Sequence, residues 1–97
     1  MSDFSVVGGV ESHEWSRRDA ARYNAALEAI DEAIACYTRL RNRAVSGNND
    51  IEAERLRAEQ SACVAEQQRL RAEDRAGVDR VLAEYPALIA WLRDRIG

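Results

Sequence analysis

The sequence predicts an all-α fold: a long, coiled-coil-like antiparallel helical hairpin, with a short C-terminal third helix and an extended N-terminal arm. Three observations carry that reading. Between Ser16 and Ala44, Tyr23, Leu27, Ile30, Ile34, Tyr37 and Leu40 recur at steps of three and four, with Ala26, Ala33 and Ala44 between them. That spacing lays a broad apolar stripe along one side of a helix. Ser46-Gly47-Asn48-Asn49-Asp50 is the clearest turn signal in the chain. Finally, 97 residues with one Pro, five Gly and seventeen Ala, rich in Arg, Glu and Leu, have the composition of long helices.

Residues 1–11 hold Phe4, Val6, Val7 and Val10 around Gly8-Gly9 without a helical period, and are read as the extended arm. Ser16-x-x-Asp19 has the form of a capping box, which starts the first helix at about 16; a start one turn earlier, at Ser12, fits as well. The helix ends near Val45, where Arg39, Arg41 and Arg43 suit its negative end and Gly47 is placed to supply a left-handed residue. Asn49 or Asp50 caps the second helix, and so short a link forces the two helices antiparallel. The second helix is predicted over about 50–76, with a continuation to 84 left open. Its seam, Ala53, Leu56, Gln60, Cys63, Gln67, Leu70, Asp74, alternates steps of three and four, a coiled-coil period interrupted by polar layers. Gly77 weakens or ends this helix, and Pro86 opens the third, over about 86–95, because proline fits a first helical position. Leu88, Ile89, Leu92 and Ile96 would return to the first helix and leave Trp91 flanking.

A chain of this length makes one domain. Apolar residues reach 46%, but so many are alanine that large side chains are sparse, and a small globule of this kind is only marginally stable by itself. Self-association or a partner is therefore expected. The net charge of −3, with acids and arginines interleaved, excludes the one-signed basic surface that nucleic acid requires. All fourteen basic residues are Arg, as GC-rich coding produces, and a bacterial source is expected. The first ten residues lack the basic start and long apolar run of a signal peptide, and no run approaches the roughly 18 apolar residues of a membrane span. Cys36 and Cys63 lie within helical patterns rather than a disulfide framework, so a cytoplasmic location is expected.

Chemistry-bearing constellations are few. His13 is the single histidine, and no Glu-x-x-His accompanies Glu28, Asp31, Glu32, Glu59, Glu66 and Glu73, so a di-metal bundle site is not expected. Leu27-x-x-Ile30-Asp31-x-x-Ile34, followed by Arg41 and by Asp50 and Glu54 after the turn, is similar to the helical chorismate mutases. The lysine that family requires late in its first helix is absent, so the resemblance implies no mutase activity here. In size and hairpin form the chain also resembles the secreted helical hairpins of the WXG family. Val45-Ser46-Gly47 stands where that family has Trp-x-Gly, and no Tyr-x-x-x-Asp/Glu tail follows, so only the architecture is shared.

The function expected from these observations is a small non-enzymatic protein–protein interaction module. It would act as a homo-oligomer or as a helical subunit or adaptor of a larger complex; a small regulator inhibiting a transcription or effector protein is the alternative. No catalytic residue, cofactor or metal is expected. Trp15, Tyr23, Ile30, Tyr37, Leu56, Leu70 and Trp91 are the expected partner-binding residues, the aromatics foremost because Trp and Tyr dominate interface hot spots. Arg39, Arg43 and Arg55, near the hairpin tip, are the expected contacts to an anion or acidic partner. The stripe looks wider than the rest of the chain can cover, and its uncovered part is the expected site.

Overall fold

The structure is a computed structural model that describes the backbone of residues 2–97 and the side chains of residues 17–97. It has three helices, α1 (Ser2–Ser46), α2 (Asp50–Arg69) and α3 (Arg75–Ile96), and no strand among the described residues. The all-α fold follows the sequence reading. The apolar stripe of α1 is central, and α1 packs against both α2 and α3. Ion pairs between Asp19 and Arg75 (3.2 Å) and between Arg22 and Asp79 tie the start of α3 to the early part of α1. At the other end Arg43 of α1 donates hydrogen bonds to the carbonyls of Arg95 and Ile96. Thus α3 runs parallel to α1, and α2 runs back between them in sequence: an up-down-up three-helix arrangement.

The core confirms the stripe and changes its meaning. Ala26, Ile30 and Ala33 are fully buried, and Tyr37, Leu40 and Ala44 nearly so. Leu56, Cys63 and Leu70 cover one flank of α1; Val78, Val81, Tyr85, Ile89 and Leu92 cover the other. The expectation that part of the stripe stays uncovered holds only in part: Tyr23, Leu27 and Ile34 remain partly exposed, and the rest is covered. The cover comes from α3, which is about twice as long as the third helix read from the sequence and adds Val78, Val81 and Tyr85 to the expected Ile89 and Leu92.

Two local features produce that longer α3. Leu70 leaves α2 in an extended conformation (φ −66°, ψ 137°), so α2 stops at Arg69 rather than near 76. Asp74, read as a seam layer, is instead the N-cap of α3: its carboxylate accepts a hydrogen bond from the Gly77 amide (3.0 Å). Gly77 belongs to the first turn of a helix rather than the end of one. A Cβ there would lie 2.4 Å from Asp74 Oδ2, so the absent side chain is what lets the cap close over it. Pro86 lies inside α3 rather than at its start. It denies the Leu82 carbonyl its i+4 donor, at a cost of about 3 kcal/mol, and faces solvent while Val81, Tyr85, Ile89 and Leu92 bury the opposite face. That burial outweighs the missing bond.

The helix start is also corrected. The backbone is helical from Ser2, so residues 2–11 form no extended arm, and neither Ser16 nor Ser12 begins a helix. Once a helix is nucleated, each added residue gains a backbone bond, so propagation tolerates even a costly Gly8-Gly9 pair. Asp19 is paired with Arg75 instead of serving a cap. The side chains of Trp15, His13 and the Phe4–Val10 segment lie outside the described ones.

Candidate functional site

At the hairpin tip α1 ends in a Schellman-type closure. The Asn49 amide donates to the Ala44 carbonyl (2.8 Å) and the Asn48 amide to that of Val45 (3.0 Å). The left-handed residue is Asn48 (φ 56°), not Gly47 as its type suggested. Asn is the non-glycine residue that best tolerates this conformation. The Asn49 side chain then caps α2, accepting from the Glu52 amide (3.2 Å); of the two caps expected, Asn49 is the one used.

Beside this turn, at the C-terminal end of α3, lies an open groove of about 550 Å³. Leu40, Ala44 and Leu56 give it an apolar floor, and Arg43, Asn49, Glu52 and Arg95 form its rim. Arg43 reaches from the rim to the last carbonyls of α3, at 3.1 Å (Arg95) and 2.7 Å (Ile96). This satisfies groups that a helix end leaves orphaned. Glu52 is held between Arg55, which it meets at the helix surface, and Arg95 at 3.5 Å. The Arg55 guanidinium hydrogen-bonded to it keeps the Glu52 carboxyl below the ordinary glutamate range. The Arg95 guanidinium in turn lies 4.6 Å over the Trp91 ring. A continuous path of contacts therefore leads from the groove to Trp91.

Large apolar residues stay exposed at three described positions: Val45 (61%), Ile51 (87%) and Trp91 (48%). Val45 and Ile51 flank the turn, and Trp91 is one helical turn from a groove-lining residue. Of the expected partner-binding residues, Trp91 is thus on the surface, whereas Ile30, Tyr37, Leu56 and Leu70 are buried in the core of a single chain and Tyr23 is packed against it. The Tyr23 hydroxyl also donates to the Leu70 carbonyl (3.4 Å). Their large side chains serve the core, although Leu56 also floors the groove and Tyr23 stays partly exposed. Of the expected anion contacts, Arg43 lines the groove, Arg55 is neutralised by Glu52 and by Glu59 (3.0 Å), and Arg39 is exposed on the side of α1. Val45 and Ile51 were not anticipated. Their signal was an apolar residue on each side of a polar turn and off both helical stripes.

Farther along, α2 and α3 meet through polar side chains. The Tyr85 hydroxyl donates to Glu66 (2.7 Å), which also pairs with Arg80 (2.6 Å). Burial pulls the Glu66 carboxyl up, but the bonds from Tyr85 and Arg80 prevail and hold it below the usual range. Burial, then Glu66, pushes the Tyr85 phenol far above its ordinary value. Burial likewise raises the Cys63 thiol, leaving it a poor nucleophile. Tyr37 is pushed up to about 12 by burial and by Glu59, whose Oε2 is a buried oxygen without a partner. Among the described residues no group of His, Cys, Asp and Glu is arranged to hold a metal ion, and no helix is long and apolar enough to cross a membrane.

The class that fold and surface define is therefore a small three-helix protein with a grooved, partly apolar tip. No protein-family model, curated protein or solved structure matches the chain.

Proposed function

We propose that this chain is a non-catalytic protein–protein interaction module, and that it recognises its partner with the hairpin tip and the adjoining Trp91 flank. The observation that carries this reading is the distribution of exposed apolar side chains. Most of the α1 stripe is buried, with only Tyr23, Leu27 and Ile34 partly exposed, yet Val45, Ile51 and Trp91 remain in solvent at the end of the molecule where the groove opens. Exposed apolar groups gathered beside a concave, polar-rimmed surface are the usual mark of a recognition site. The ionisable groups of the rim are engaged with one another or with backbone carbonyls, which suits orientation of a partner better than acid–base chemistry. A cytoplasmic setting accords with the free, buried Cys36 and Cys63.

The test is quantitative co-purification with the tagged wild type and the Ile51→Asp/Trp91→Ala double variant. Both substituted side chains are exposed enough for the fold to survive, which circular dichroism would verify. The double variant is expected to lose at least 90% of the partner retained by the wild type, about the tenfold change of a 1.4 kcal/mol loss. Equal retention by both proteins would overturn the reading.

A further inference from the structure

We infer that the occupant of the tip groove is the tip of a second copy of this chain, in a two-fold pair that seats Ile51 of each protomer in the groove of the other. This rests on the interaction-module reading and names its partner. Knob and hole occur on the same end of the molecule: Ile51, 87% exposed, opens α2, and Leu56 of the same helix is part of the groove floor. A two-fold axis across the tip, perpendicular to the long axis of the bundle, exchanges the two features. Each knob then meets a hole, the self-complementarity an isologous contact requires. A groove of about 550 Å³ with an apolar floor has room for such a side chain.

Charge supports the same pairing. The groove rim carries Arg43 and Arg95 against one acid, Glu52, and is net positive, whereas Ile51 stands beside the exposed Asp50; Glu54, one turn on, is paired with Arg57. Seating Ile51 in the partner's groove brings Asp50 towards Arg43 and Arg95 of that rim. Opposite-charge juxtaposition fixes register and excludes the reversed arrangement. The bundle measures 22 × 17 Å across its long axis. An end-on contact of that size falls short of the roughly 800 Å² per partner of a standard interface, so the pair is a weak, concentration-dependent dimer. Trp91, on the flank of α3, stays clear of it.

Sedimentation equilibrium from micromolar to millimolar concentration tests this on the wild type, Ile51→Asp and Trp91→Ala. The wild type is expected to follow a reversible monomer–dimer equilibrium that weakens with salt. Ile51→Asp is expected to weaken association by at least about tenfold, because the symmetric contact loses the side chain twice. Trp91→Ala is expected to change it by less than about twofold. A wild type that stays monomeric, or an Ile51→Asp variant that associates like the wild type, overturns the inference. If a monomeric wild type still captures a different protein through Ile51 and Trp91, the self-pairing fails while the interaction-module reading stands.

Discussion

The two helices that cover α1 do so by different physics. Buried positions of α2 are few and include a polar one: Leu56, Gln60 and Cys63. Gln60 Nε2 donates to the Ile34 carbonyl (3.0 Å) and to Thr38 Oγ1 (2.7 Å), while Arg41 donates to its Oε1 (2.5 Å). Two turns on, Gln67 donates to Asp31 (2.5 Å). Each of these bonds exists in one register of α2 along α1, so the polar layers specify alignment. By contrast α3 buries Val78, Val81, Tyr85, Ile89 and Leu92, an apolar face whose contribution scales with area and cares less about register. Thus α3 supplies most of the hydrophobic stabilisation and α2 most of the positional specificity.

The largest break in that comparison is expected from Leu92→Ala. Leu92 is fully buried, and the cavity left behind is expected to cost about 2–5 kcal/mol in urea unfolding. Gln60→Ala is expected to cost about 1–3 kcal/mol, because it strands Arg41 and removes a donor from the Ile34 carbonyl. A smaller loss for Leu92→Ala than for Gln60→Ala would reverse the assignment of roles. Acid titration sharpens the contact between α2 and α3. Glu66 has its carboxyl lowered in the folded state, so its share of stability is present above the ordinary glutamate range and is lost as pH falls through the folded value. Glu66→Gln is expected to flatten that acid-side loss in a thermal-melt series; an unchanged pH profile would remove Glu66 from the account. The smallest effect is expected at the tip, where Asn48→Gly should stabilise by less than about 1 kcal/mol by relieving the left-handed conformation.

Much of this architecture was legible in the residues, and the misses share a cause. The α1 stripe and the turn at residues 46–50 were visible because periodicity and turn chemistry there agree. Asp74-Arg75-Ala76-Gly77 misled because Gly was weighed as a terminator while the aspartate three residues earlier, a good N-cap ahead of Val78, Val81 and Tyr85, was assigned to the seam. Pro86 misled because tertiary burial on one face of α3 overrode a local cost on the other. Site prediction fared less well for a related reason. Large apolar side chains were offered as partner anchors, but in a chain with so few of them the core takes the periodic ones. The surface keeps those out of phase, Val45, Ile51 and Trp91.

The central place of α1 sets how the chain folds. With α2 on one flank and α3 on the other, neither half of the stripe is a finished core. Detaching α3 would strip Val78, Val81, Tyr85, Ile89 and Leu92 from the core and leave α2 holding α1 through a narrow, partly polar contact. The hairpin is therefore not a separable folding unit, although it is contiguous in sequence. The three helices rise and fall together, and hydrogen exchange in the middle of α1 should report the global free energy of unfolding rather than any local opening.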